Sequence, residues 1–139
     1  MARTILVPFD GSPHATEGLE YALETFPDAA VTALHVVERT HDLDDDRAFE
    51  TWLETATAAR ADGEAILERA TAVAADRGRE LSTALWVGRP TTAILAYVAE
   101  ENVDHVVIGS RGTGDADGHL GSVADAIVHR SPVLVTVLR

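Results

Sequence analysis

The chain has 139 residues, 46% hydrophobic and 24% charged, which suits one domain with one buried core and excludes a disordered chain. A formal net charge of −12 and only 5% aromatics argue against a nucleic-acid surface, and the lack of cysteine excludes disulfides, zinc-thiolate sites and thiol catalysis. No apolar run approaches the roughly 18 residues that span a bilayer, and the start, Met1 to Pro8, lacks a signal peptide's cleavage region, so the expected location is cytoplasmic.

Arg3 to Phe9 is short, apolar and β-branched, and reads as a buried strand. Pro13 to Phe26 has helical spacing, with Ser12 as N-cap, Pro13 as first helical residue and Pro27 beyond the end. Ala30 to Val37 is a second strand, followed by an acidic loop from Thr40 to Asp46. A long helix is predicted from Arg47 to Arg77, weakened by Gly63 and stopped by Gly78. Glu80 to Val87 is a third strand, Pro90 to Glu101 a third helix, and Asp104 to Ile108 a fourth strand. A glycine-rich loop from Gly109 to Gly121 leads into a short helix, Ser122 to His129. Val133 to Leu138 is the fifth strand.

Four successive strand–helix alternations predict a single α/β domain over 1–139, built on a parallel, doubly wound, Rossmann-like sheet. In such a sheet ligands bind beyond the carboxyl ends of the strands, where the strand order reverses. Two loops deserve inspection on that ground: Pro8-Phe9-Asp10-Gly11-Ser12, and the stretch from Gly109 to Ser122 with its five glycines. Glycines let backbone N–H groups approach an anion, and the start of the last helix adds its positive end. A plain connection is the alternative, with Ser122 and Asp125 forming a capping box that needs no ligand.

The chain resembles the universal stress protein family (UspA type) over essentially its full length. Ile5-Leu-Val-Pro-Phe-Asp-Gly-Ser12 is similar to the family's first strand and its aspartate, and Leu34-His-Val-Val37 to its second strand. Gly88-Arg-Pro90 resembles the start of its third helix, and Ser131-Pro-Val-Leu-Val135 its last strand. Val107-Ile-Gly-Ser-Arg-Gly112 and Gly121-Ser-Val123 resemble its nucleotide loop. The resemblance implies a five-stranded sheet of order 3-2-1-4-5, of the adenine nucleotide alpha hydrolase-like type. It also implies a non-catalytic, nucleotide-binding stress-response regulator that acts as a homodimer and is read by protein partners.

The implied ligand is ATP, with Mg2+ as its companion. Asp10 would meet the ribose or adenine, and Pro8 and Val36 would line the adenine. Gly109 and Gly112 would admit the phosphates, and Arg111 would reach one of them. Gly121, Ser122 and Val123 would hold phosphate oxygens. ATP-binding members carry Gly-x2-Gly-x9-Gly-Ser/Thr, whereas eight residues separate Gly112 from Gly121 here, two of them Asp115 and Asp117. Two carboxylates near a triphosphate call for a divalent cation. The same departures motivate the alternative of a nucleotide-independent scaffold, and a slow ATPase is the third reading.

Other signals are weaker. The six histidines show no metal-ligand spacing, and Asp42 to Asp46 begins like a calcium loop but has Arg47 where glycine is required. A Walker A motif is impossible without lysine, and all 11 basic residues are arginine. That composition, beside 23 acidic residues, suits a salt-rich cytoplasm and suggests a halophilic host. His35 reads as a partly buried strand residue, and Trp52 and Trp86 read as packing anchors. The last strand, Pro132 to Arg139, is apolar on both faces and is expected at a sheet edge, where pairing with its own copy would protect it.

Overall fold

The computed structural model describes residues 3–38, 46–110 and 121–139, with 46–56 described by their backbone alone. The elements alternate: β1 (Thr4–Pro8), α1 (Pro13–Thr25), β2 (Ala30–Glu38), α2 (Asp46–Ala75), β3 (Ser82–Gly88), α3 (Pro90–Glu100), β4 (His105–Gly109), α4 (Ser122–Arg130) and β5 (Leu134–Leu138). The strands form one parallel sheet of order β3-β2-β1-β4-β5, as the sequence predicts. Among the described residues no helix is long and apolar enough to cross a membrane.

Successive side chains of a strand point to opposite faces, so the inner strands feed two cores. Ile5, Val7, Val31, Ala33 and Val107 meet Leu19, Leu23, Leu67, Ala70 and Ala74 of α1 and α2. Leu6, Leu34, Val106 and Ile108 meet Ile94, Val98 and Ile127 of α3 and α4. Burial on both faces explains why these strands read as near-continuous apolar runs. Trp86 anchors the second face, edge-on to Tyr97 at 5.1 Å between ring centres.

The helix ends follow local chemistry. Ser12 caps α1, its hydroxyl oxygen accepting from the Ala15 N–H at 3.2 Å. At the other end Arg79 donates to the carbonyls of Leu23, Phe26 and Ala29, so a cation meets the negative end of α1. Gly78 ends α2 at φ +65°; its N–H donates to the Ala75 carbonyl and that of Arg79 to Ala74, which satisfies two otherwise orphaned carbonyls.

Two expectations need correction. Gly63 is not a weak point of α2 but a point of close approach. A Cβ there would stand 2.7 Å from Leu85 Cδ1 and 2.8 Å from His35 Cδ2. Ser122 and Asp125 do not form a capping box: Gly121, extended at φ −60° and ψ 153°, is the N-cap of α4, and Ser122 already lies inside the helix. The acidic loop from Thr40, Arg111 to Leu120 with both its aspartates, and the side chain of Trp52 lie outside the described residues.

Candidate functional site

A cavity of about 620 Å³ opens at the carboxyl ends of β1, β2 and β4, within the range of small-ligand sites. Pro8, Phe9 and Asp10 follow β1, His35, Val36 and Glu38 close β2, and Ile108, Gly109 and Ser110 close β4. α4 brings Ser122 and Val123 with Gly121 before them, α2 brings Ala59 and Asp62, and α3 brings Pro90 and Ile94. Pro8, Asp10, Val36, Gly109, Gly121, Ser122 and Val123, all singled out from sequence, therefore line one space. Arg111 and Gly112 lie outside the described residues. His35, Asp62 and Ala59 were not foreseen as lining residues. His35 left a trace, being a polar residue inside an apolar strand, whereas only tertiary packing brings α2 to the cavity.

The loop after β1 is held at three points. Asp10 Oδ1 accepts from the Ser12 N–H at 2.9 Å, closing a short turn. Gly11 takes φ +81°, open to glycine at no steric cost. Arg69 of α2 donates from Nη2 to the Gly11 carbonyl at 2.8 Å. Asp10 is thus a turn residue and a cavity-lining carboxylate together.

The end of β4 and the start of α4 form the opposite wall. The Gly121 N–H is committed to the Ser110 carbonyl. The next N–H groups, from Ser122 to Ala124, have no acceptor within the helix, and the N-cap residue Gly121 has no side chain to cap them. This wall can receive an anion. The side chains elsewhere are of the other sign: Asp10, Glu38 and Asp62 line the cavity, and no arginine does so among the described residues. The wall between is apolar, from Pro8, Leu34, Val36 and Ile94. No group of three or more His, Asp or Glu able to hold a metal ion occurs among the described residues.

A doubly wound sheet with a cavity at its reversal point defines a Rossmann-like α/β domain, and comparison with known proteins places it further. The sequence profile of the universal stress protein family matches residues 1–139, and the chain belongs to that family. It is 31% identical to a Thermus aquaticus universal stress protein, "in QAH/OAS sulfhydrylase 3'region", over the whole of both chains. The solved universal stress protein UspA from Lactobacillus plantarum is similar at 26% identity and a TM-score of 0.87, covering 99% of this chain and 97% of that one. Two more distant structures share the fold. A universal stress protein in complex with cAMP has 20% identity and a TM-score of 0.71, covering 99% and 97%. An Arabidopsis thaliana family protein with AMP bound has 19% identity and a TM-score of 0.72, covering 98% and 90%.

Proposed function

We propose that this protein binds an adenine nucleotide in the cavity above β1, β2 and β4, and acts as a non-catalytic stress-response regulator. The observation that carries the reading is the convergence of seven sequence-predicted residues from three strand ends and one helix start on a single cavity. The apolar wall fits a purine, and the Asp10 carboxylate fits the hydroxyls of a ribose. The first N–H groups of α4 fit a phosphate. AMP or cAMP bound to distant members of the fold supports the same reading.

The charge of the lining separates the nucleotides. Glu38 and Asp62 add negative charge to the described lining, which disfavours a bare triphosphate. ATP is therefore expected to need Mg2+, and AMP is not.

Homodimerisation through β5 belongs to the same proposal. β5 ends the sheet, Leu134 on it is 63% exposed, and Val128 of α4 is 42% exposed. Pairing with a second copy would protect that edge. Light scattering after size exclusion tests this: a strict 14.8 kDa monomer at micromolar concentration overturns it.

The nucleotide is tested by purifying the protein in molar salt, extracting it with acid and identifying any adenylate released. Calorimetry with AMP, and with ATP in the presence and absence of Mg2+, follows. Failure of every adenylate to bind would leave the second reading, a nucleotide-independent scaffold, which the acidic lining favours.

A further inference from the structure

The residues from Phe9 to Ser12 carry the chain from β1 to α1, and Phe9, Asp10 and Ser12 line the cavity. The first of them is tied to the sheet. The Phe9 N–H donates to the Leu34 carbonyl at 2.8 Å, and its carbonyl accepts from His35 Nδ1 at 2.9 Å. The last, Ser12, belongs to α1, which it caps. Between them stands Gly11 at φ +81°, and its carbonyl is held from outside the loop by Arg69 Nη2 at 2.8 Å.

The guanidinium also lies against Gly11 itself. A Cβ there would stand 3.1 Å from Arg69 Nη1 and 3.4 Å from Cζ and Nη2, so Arg69 fills the place a side chain would take. Its donors are not spent on a carboxylate. Among the described residues Arg77 pairs with Glu20 and Glu24, whereas Arg69 makes no ion pair, in a chain with 23 acidic residues. Arg69 does not line the cavity. The turn whose tip it holds does so through Asp10, whose Oδ1 accepts from the Ser12 N–H within that turn. A turn fixed in advance presents its carboxylate at no further cost, whereas a loose one must be ordered by the ligand.

We infer that Arg69 is a positioning residue of the nucleotide site: it braces the turn at Gly11 and so fixes the Asp10 carboxylate where it meets the ribose hydroxyls, without touching the ligand. The inference rests on the nucleotide reading above. Without the brace, Gly11 recovers the conformational freedom that glycine has beyond any other residue. Binding must then order the turn, and the hydroxyl contacts weaken. Contacts of the base and phosphate with the other walls stay as they are.

Calorimetry of the full chain in molar salt with AMP and with 2′,3′-dideoxy-AMP tests this. The second ligand keeps the base and the phosphate but offers Asp10 no hydroxyl, so the effect of removing a positive charge cancels in the ratio of the two affinities. The wild type is expected to prefer AMP by about tenfold, the worth of one good hydrogen bond. In Arg69→Ala the preference falls to about twofold, because AMP weakens and the dideoxy ligand does not. Arg69→Lys, which keeps a donor for the Gly11 carbonyl, restores part of it. A role in stability alone would lower the thermal midpoint and leave the ratio unchanged. An unchanged ratio in Arg69→Ala, or equal affinities in the wild type, overturns the inference and leaves nucleotide binding intact. Failure of the wild type to bind either ligand overturns the nucleotide reading itself, and the inference with it. Should Arg69→Ala not fold, Arg69→Met keeps the apolar stem, deletes the donors and is read by the same ratio.

Discussion

Gly109, at the end of β4, lies directly beneath the carbonyl of His14 in the first turn of α1. A Cβ on Gly109 would stand 2.7 Å from the carbonyl carbon and oxygen of His14. Backbone cannot give way as a side-chain tip can, so packing alone requires glycine here, before any phosphate is considered. Gly109→Ala is expected to lift α1 from the sheet and destabilise the protein by about 1–3 kcal/mol, as overpacking does. Gly18 provides the contrast. It faces Gly109 from α1, but a Cβ there would meet its nearest atom at 3.6 Å, an ordinary contact. Gly18→Ala should be neutral or stabilising by up to about 1 kcal/mol, through helix propensity. Urea unfolding of the two variants checks both signs.

Acid should weaken the fold through His105. This residue is 6% exposed; Nε2 is 2.8 Å from Thr136 Oγ1, the Phe26 ring stands edge-on at 5.4 Å, and Nδ1 has no partner. Burial, with a smaller contribution from Arg3, holds its pKa below the ordinary histidine value. The unfolded chain therefore takes up a proton first. The stabilisation is complete above about pH 6.5 and is lost as pH falls from there towards the folded pKa. His105→Gln should flatten that part of the stability profile. An equally steep fall between pH 7 and pH 5 in wild type and variant would contradict it.

Asp10 combines two roles that a single substitution separates. Asp10→Asn retains an oxygen to accept from the Ser12 N–H and so keeps the turn, but removes the negative charge. AMP affinity should fall about fivefold to tenfold if the carboxylate accepts from a ribose hydroxyl. The thermal midpoint of the free protein should change little. Loss of both together would make Asp10 a turn residue alone.

A charge of −12, with no lysine in the chain, predicts a strong dependence on salt. Self-repulsion among surface carboxylates is screened over about 3 Å at 1 M, against about 10 Å at 0.1 M. The unfolding midpoint should rise steeply from 0.1 M to molar KCl. A flat response would remove the argument for a halophilic host.

Much of this architecture was legible because its signals are local. Ser12-Pro13 and Gly78 mark helix ends by side-chain and backbone chemistry, and the apolar runs at Ile5 and His105 mark strands buried on both faces. The site was legible to the extent that it lies at strand ends, where Asp10, Val36 and Gly109 fall. What escaped depends on contacts between distant segments. A glycine does not reveal what approaches it, so Gly63 read as a weak spot when it is the seat of the His35 ring. Asp62 reaches the cavity only because α2 folds back over β2. Ser122 followed by Asp125 has the residues of a capping box, but the backbone turns helical one residue earlier than the cap would require.

The single helix α2 touches two parts of the site: Gly63 makes room for His35, and Arg69 holds the carbonyl of Gly11. These positions lie six residues apart, about 9 Å along the axis. The helix therefore works as a gauge, setting the distance between the His35 ring and the aspartate loop. Inserting or deleting one residue between them would rotate the remainder of α2 by about 100°. Either the imidazole would lose its slot or the loop its brace, and the two halves of the cavity would no longer be in step.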